Sequence, residues 1–368
     1  MDDERMRVRA FLAEARAAGR FEPHGDSWLS GFDPAMSREL GARGWIGMTW
    51  PREYGGREAS NLDRQAVVEE LLAAGAPVAA HWFADRQVGP SLLRHGSPEQ
   101  RARLLPPMAR GELYFAIGMS EPDTGSDLAS VRTRAVPAGG GWRVSGTKVW
   151  TSNAHGADLL LALVRTADRD PGHRHAGLSQ LIVDLRAPGV TVHPILSLDG
   201  GHHFNEVVLE DVFVPETSVV GTPGEGWQQV MAELAYERSG PERYLSVFGL
   251  LAAMARHAAD RPDLRAPLGR LYSRLLVLRQ LSTGVARSVD AGATPSPVTT
   301  ALVKDMGTRL EQDVVDEARR WRPGRPGPDA AAEYDRLLAE AQLHAPGFTL
   351  RGGTSEVLRG LVARALGM

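Results

Sequence analysis

The apolar spacing of this chain changes period twice, and that change limits the architectures open to it. From residue 3 to about 112 the spacing is helical: "VRAFLAEA", "SRELGARGWIG", "LDRQAVVEELLAAG" and "PEQRARLLPPMARG" repeat apolar residues three and four apart. Ser97-Pro98-Glu99 has the form of an N-cap with proline in the first turn. Between roughly 113 and 221 the pattern changes. "GWRVSGTKVWTSN" alternates and is rich in β-branched and aromatic residues, and "DLLLALVRT", "LSQLIVDL", "GVTVHPIL" and "NEVVLEDVFVP" are short apolar runs bounded by Gly, Pro, Asp and Asn. No helix of useful length separates them, which favours an antiparallel β domain and speaks against a doubly wound nucleotide-binding sheet. From "GEGWQQVMAELAYERSG" onward helical spacing returns, broken only at "DRPDLRAP", "DAGATPSP" and "RWRPGRPGPD". The expected fold class is therefore α+β, with a helical domain over 1–112, a β domain over 113–222 and a second helical domain over 223–368.

Composition narrows the chemistry. The 368 residues, 43% of them apolar, suffice for a substantial core. A net charge of −3 with both signs interleaved argues against a nucleic-acid or anionic-membrane surface. The chain has no cysteine, which excludes disulfides, thiolate nucleophiles, iron–sulfur clusters and cysteine-based zinc sites together. The opening "MDDERMRVRAFLAEARAAG" is charged where a signal peptide would be apolar, and no apolar run approaches the roughly 18 residues of a spanning helix. A soluble, cytoplasmic protein is expected.

Two stretches concentrate polar groups at strand ends. In "AIGMSEPDTGSDLASVRTRA", residues 116 to 135, Ser120, Glu121, Gly125, Ser126 and Asp127 offer hydroxyls and backbone N–H groups in a turn. Such a turn suits a phosphate or a cofactor's polar edge, or is simply a well-capped surface turn. In "GTKVWTSNAHGAD", Trp150, Thr151 and Ser152 set an aromatic plane beside two hydroxyls. A planar heteroaromatic cofactor could stack and hydrogen-bond there, and a core tryptophan is the plainer reading. His173 and His175 in "PGHRHAG" lack further ligands at metal spacing and read as a polar hairpin loop. His202 and His203 in "DGGHHF" receive no catalytic role, and no metal site is expected.

Six stretches in order, "WPREYGG", "GMSEPDTGSDLASVRTRA", "GTKVWTSNAHGAD", "VVLEDVFVP…VVGTPGEGW", "AYERSG" and "GGTSEVLRGLVARALG", resemble the acyl-CoA dehydrogenase family of flavoproteins over essentially the whole chain. The resemblance implies an N-terminal helical domain, a middle β domain and a C-terminal four-helix domain, with FAD between the last two. It implies that Ser120, with Met119 beside it, contacts the flavin pyrimidine edge. Gly125 and Ser126 match the turn near the cofactor's phosphates and the substrate's thioester end. Trp150 matches the tryptophan beside the flavin ring system, Thr151 lies next to it, and Ser152 matches the hydroxyl near N5. Thr354 and Glu356 lie in the C-terminal cofactor-binding turn.

The implied reaction removes an α-proton from an acyl thioester, held on CoA or a carrier protein, while a hydride leaves the β-carbon for the flavin. A desolvated carboxylate and two donors on the thioester oxygen are required. Many family members carry the base immediately before the final Gly-Thr, where this chain has Gly352 and so only a backbone N–H to offer. Others carry it on the first helix of the C-terminal domain before an arginine, which here reads Tyr236-Glu237-Arg238. Glu237 is therefore the expected base, with Met231, Leu234 and Arg238 spaced to share its inward face. Arg238 is a substrate-side residue and Glu242 a weaker candidate base. The family's usual adenine-binding patterns are not evident, which leaves Arg256 and Arg270 as loose substitutes or implies a paralogous partner subunit. Homo-oligomer and heteromer both remain open, with an electron-transfer flavoprotein or similar acceptor as electron partner. An acyl-CoA oxidase, a flavin monooxygenase, or a non-catalytic partner subunit are the alternatives within this fold.

Overall fold

A computed structural model describes the whole chain except Met1, residues 259–260 and residues 322–327, and the side chains except also those of residues 2, 234–237 and 328–331. The first helices are α1 (Asp2–Ala17), α2 (Ser27–Ser30), α3 (Pro34–Ala42), α4 (Asn61–Ala73), α5 (Ala79–Phe83), α6 (Gly89–His95) and α7 (Pro98–Ala109). Their starts are written locally. Asp33 caps α3 by accepting from the N–H groups of Ala35 and Met36, with Pro34 in the first turn. Ser97 caps α7 and forms a reciprocal capping box with Gln100, so the predicted start at Ser97-Pro98 is observed.

The strands follow: β1 (Phe115–Gly118), β2 (Arg134–Ala138), β3 (Gly141–Lys148), β4 (Leu159–Arg165), β5 (Leu178–Asp184), β6 (Val190–Leu196), β7 (His202–Pro215) and β8 (Val219–Val220). They form one sheet in the order β6-β7-β3-β2-β4-β5-β8, with β1 beside β4. Pairing is antiparallel except for β1 with β4 and a single β2–β4 pair, which are parallel. The sequence distinguishes centre from flank. β4 and β5 are near-continuous apolar runs buried along their length, whereas β7 alternates and turns Val207, Leu209, Val212 and Val214 into the core. Each such fully buried side chain contributes about 1.5–3 kcal/mol of transfer free energy. A bulge in β3 between Val144 and Gly146 is possible because Gly146, at φ +151°, lies so close to Thr133 that a Cβ would sit 2.5 Å from its hydroxyl oxygen.

The remaining helices are α8 (Gly226–Glu237), α9 (Phe248–His257), α10 (Arg265–Asp290), α11 (Pro297–Arg320), α12 (Pro328–Phe348) and α13 (Ser355–Ala365). α11 packs against α9, α10, α12 and α13, and α10 also against α4. Contacts group the chain into two units: residues 1–31, 60–77 and 235–368 form a helical unit, and residues 32–59 and 78–234 a unit built on the sheet. Among the described residues no helix is long and apolar enough to cross a membrane.

Candidate active site

In the sheet unit, β1 delivers Met119 and Ser120 next to the end of β3, where the Val149 N–H donates to the Ser120 carbonyl at 2.9 Å. The two polar stretches singled out in the sequence are thus neighbours. Beneath them lies a buried ion pair that the sequence reading did not find. The Lys148 ammonium, with no exposed side-chain surface, donates to Glu121 Oε1 at 2.7 Å and to the Met119 carbonyl at 3.2 Å. Glu121 also accepts the N–H groups of Arg132 (2.6 Å) and Thr133 (2.9 Å). Burial pushes the Lys148 ammonium down to about 8, against the pull of Glu121. Burial also pushes the Glu121 carboxyl up, but Lys148 and the donors from Thr133 and Arg132 outweigh it and hold the group below its ordinary value. The pair therefore stays charged at neutral pH and clamps the Ser120 turn. Beyond it, Gly125 and Ser126 are exposed, and a Cβ at Gly125 would meet nothing within 4 Å.

Trp150 is no core residue: its indole is 59% exposed and its backbone sits at φ +57°. A left-handed conformation in a bulky residue costs on the order of 1–3 kcal/mol and persists only where its surroundings enforce it. Here the Thr151 N–H donates to the Asn205 carbonyl (3.0 Å) and the Asn153 N–H to the His203 carbonyl (2.7 Å), while the Asn205 side-chain amide donates to the Thr151 carbonyl at 2.9 Å. The Thr151 hydroxyl, on a residue only 1% exposed, has no hydrogen-bond partner among the described residues. A buried orphan hydroxyl beside an exposed indole is the arrangement a planar, hydrogen-bonding ring system satisfies.

In the helical unit, the C-terminal turn has Gly352 at φ +67° and Gly353 at φ +99°. Arg238 Nε donates to the Gly352 carbonyl at 3.2 Å, and a Cβ on Gly352 would lie 2.7 Å from Arg243 Nη1. The Gly352 N–H has no partner among the described residues. Arg351 anchors the turn from the other side. It pairs with Asp26, donates to the Ser246 hydroxyl at 2.8 Å, lies 3.5 Å from Glu311, and stacks over Trp28 and Phe348 at 5.0 and 4.6 Å. Burial pushes the Glu311 carboxyl up to about 7, with Arg351 pulling it down. Thr354 caps α13 by accepting the Val357 N–H at 3.3 Å, and Glu356 is exposed in that helix's first turn, where the dipole favours its charge.

Glu237 ends α8, and its side chain lies outside the described residues. The expected inward face of α8 needs correction: Met231 is 40% exposed, while Val230 and Glu233 are buried. Glu233 is turned inward because it accepts from the buried Gln180 amide at 2.9 Å, a polar partner on β5 that helical spacing cannot reveal. Glu242 is fully buried and folds back over Gly240, where a Cβ would lie 2.0 Å from its Oε2. Arg256 is paired with Glu333 on the surface, and Arg270 is exposed. His173 bonds to Asp170 at 3.0 Å in an exposed loop, whereas His175 stacks on Trp227 at 4.1 Å. No group of three metal-ligating side chains occurs among the described residues.

The chain matches the acyl-CoA dehydrogenase N-terminal domain over residues 3–112, the middle domain over 116–212 and the C-terminal domain over 224–367. It belongs to the acyl-CoA dehydrogenase family. Acyl-CoA dehydrogenase IpdE1 of Mycobacterium tuberculosis is 35% identical over 345 residues, covering 91% of this chain and 87% of that protein. The mitochondrial isovaleryl-CoA dehydrogenase of Pongo abelii is 28% identical over 349 residues, covering 89% and 79%. Among solved structures, the Tcur3481-Tcur3483 steroid acyl-CoA dehydrogenase superposes with a TM-score of 0.83 at 29% identity, covering all of this chain and 97% of that one. The ChsE4-ChsE5 complex from Mycobacterium tuberculosis gives 0.81 at 30%, with the same coverages. This acyl-CoA dehydrogenase is thus an oxidoreductase of a family whose members are flavoproteins.

Proposed function

We propose that this acyl-CoA dehydrogenase binds FAD and oxidises an acyl-CoA, or an acyl-carrier thioester, to its 2,3-enoyl form with Glu237 as the base. The observation that carries the reading is the buried Thr151 hydroxyl, without a partner among the described residues and next to the exposed Trp150 indole. Thr151, Ser152 and Ser120 would hydrogen-bond the flavin ring system, Trp150 and Met119 would pack against it, and Gly125 and Ser126 would lie toward its phosphates, Ser126 also toward the thioester. Thr354 and Glu356 would serve the cofactor through the start of α13. When bound, FAD supplies the acceptor for the β-hydride.

The rest falls to the chain. The Glu237 carboxylate takes the α-proton, a step worth on the order of 10²–10⁴ in rate. The Gly352 N–H donates to the thioester oxygen as charge develops there. Arg238 holds that peptide through its carbonyl and so fixes where the N–H points.

Anaerobic titration with a panel of acyl-CoAs, read as bleaching of the flavin absorbance, tests the assignment. The names of the similar proteins, isovaleryl-CoA dehydrogenase and a steroid acyl-CoA dehydrogenase, put short branched thioesters and bulky steroid-bearing ones in that panel. Glu237→Gln is expected to retain flavin and lose at least about 10²-fold in kcat. Retention of more than a few per cent of activity refutes Glu237 as base.

A second reading is favoured by the two-protein names of the neighbours: the chain works as one subunit of a heteromer with a paralogue, reduced by substrate and reoxidised by an electron-transfer flavoprotein. Mass photometry and flavin content of the singly expressed chain decide this. A flavin-loaded homo-oligomer eliminates the obligate partner.

A further inference from the structure

The sheet unit contains a device around Asn205 to which the proposed reaction gives no part. Asn205 is fully buried on β7 and occupies both backbone polar groups of Thr151, its own carbonyl taking the N–H and its side-chain amide donating to the C=O. Because that amide nitrogen must face the Thr151 carbonyl, Asn205 Oδ1 is fixed as an acceptor pointing the other way. Two imidazoles converge on it, His155 Nδ1 at 3.2 Å and His202 Nε2 at 2.8 Å, so both nitrogens carry hydrogen. The two rings are stacked, centroids 4.0 Å apart and planes 27° from parallel.

We infer that Asn205 is the positioning residue of the Trp150–Ser152 segment and that the stacked His155–His202 pair sets its grip according to how many protons the pair carries. One imidazolium in the stack leaves both hydrogen bonds to Oδ1 intact. A second would put two like charges face to face, and the stack can relieve that only by parting, which releases Oδ1 and frees the amide to turn away from Thr151. With the clasp open, the Thr151 carbonyl loses its donor, and the left-handed backbone of Trp150, whose indole meets Phe204 edge-on at 5.7 Å, is held from β7 only by the backbone carbonyls of Asn205 and His203.

The Phe32 ring lies 6.2 Å from His155 with Tyr114 behind it, and His203, next to His202 on β7, bonds to Ser197 at 3.5 Å. Covering one face of His155 pushes its imidazole down, the His202 charge pushes it further the same way, and the Asn205 hydrogen bond offsets part of the effect. The grip is therefore full above the unperturbed value of 6.5 and weakens as pH falls below it.

The inference rests on the FAD reading only for its consequence, and the test separates the two. The emission of Trp150, taken as the difference between the full chain and its Trp150→Phe variant, is followed between about pH 5 and 8, together with the FAD retained after desalting. The wild-type signal is expected to hold steady at the upper end and change as pH falls below the ordinary imidazole value of 6.5. His155→Phe and His202→Phe each keep a ring in the stack and one donor on Asn205, and each is expected to lose most of that change. Asn205→Asp removes the donor to Thr151 and pairs a carboxylate with the imidazolium, so its signal is expected to start in the acid form and move toward the native one on acidification. An acid transition that persists in both phenylalanine variants, or an Asn205→Asp profile with the wild-type sign, overturns the inference. A protein that holds no flavin at any pH, yet whose Trp150 signal titrates as described, refutes the FAD reading and leaves the clasp standing.

Discussion

Trp150 and Gly352 both sit at positive φ, 57° and 67°, in segments proposed to face the reacting groups, yet opposite kinds of interaction hold them there. The Trp150 segment is a strained non-glycine backbone gripped by neutral hydrogen bonds from Asn205 and His203. The Gly352 turn is a permissive backbone surrounded by charge: Arg238 on its carbonyl, Arg243 against its Cα, and Arg351 reaching into Asp26 and Glu311. Neutral clasps weaken by degrees, whereas a buried charge stripped of its partner is costly at once. The two segments should therefore respond differently to the same kind of insult.

The largest expected effect comes from Arg351→Ala. It leaves Asp26 and Glu311, both buried, without the guanidinium that joins them, and unfolding free energy from urea titration should fall by about 3–5 kcal/mol. Asn205→Ala, which removes a neutral donor from a backbone carbonyl, should cost about 1–3 kcal/mol. If Asn205→Ala proves the more damaging of the two, the contrast between charged and neutral anchoring is wrong.

The contrast also has a pH signature. Burial lifts the Glu311 carboxyl from 4.5 to about 7, so in that window the native state binds more protons than the unfolded one, and the contribution of this group falls as pH rises. His155 is shifted the other way, and its contribution falls as pH drops below 6.5. Each shifted unit is worth at most about 1.4 kcal/mol. Glu311→Gln should flatten the slope followed by hydrogen exchange in α11 and leave the slope followed in β7 untouched. A slope of unchanged steepness in α11 of Glu311→Gln would reassign that transition to another group.

How much of this could be read beforehand follows the same division. The helical and strand periods, the Ser97 cap and the placement of the polar turns at strand ends are local, and the chain spells them out. Neighbouring of Ser120 with the end of β3 depends on sheet order, and only the resemblance to a family implied it. The Glu121–Lys148 pair was hidden because a lysine in an alternating strand looks solvent-facing until β2 and β7 flank it. Asn205 and Arg351 were silent for a stronger reason. Each acts on a residue more than fifty positions away, Asn205 on Thr151 and Arg351 on Asp26 near the other end of the chain, and no spacing rule reaches that far. The exposed Met231 shows the converse failure, in which apolar spacing predicted an inward face that a buried Gln180–Glu233 bond had already claimed.

A smaller effect is expected at the turn itself. Gly352→Ala should cost about 1–2 kcal/mol, because a Cβ is disfavoured at this φ and because Arg243, fully buried and stacked 5.1 Å over Trp28, has little room to yield. The same crowding means that Gly352→Glu should not restore turnover to Glu237→Gln, since the new carboxylate would meet a guanidinium and lose basicity. Recovery of wild-type rates in that double variant would show the turn to be more plastic than its charges imply.

The smallest structural effect should be the most informative. Thr151 is 1% exposed and its hydroxyl has no partner among the described residues, so in the isolated chain Thr151→Val removes a buried group that hydrogen-bonds to none of them. Stability should be unchanged or rise by up to about 1 kcal/mol, because the desolvation cost of an unsatisfied hydroxyl disappears while the volume is kept. A residue that serves only the fold would show the reverse, a loss on substitution. If the hydroxyl is instead reserved for the flavin, Thr151→Val should weaken FAD retention about tenfold, the worth of one hydrogen bond, while the melting temperature of the flavin-free protein stays put. Equal losses in both measurements would return Thr151 to the core and remove the observation on which the cofactor assignment rests.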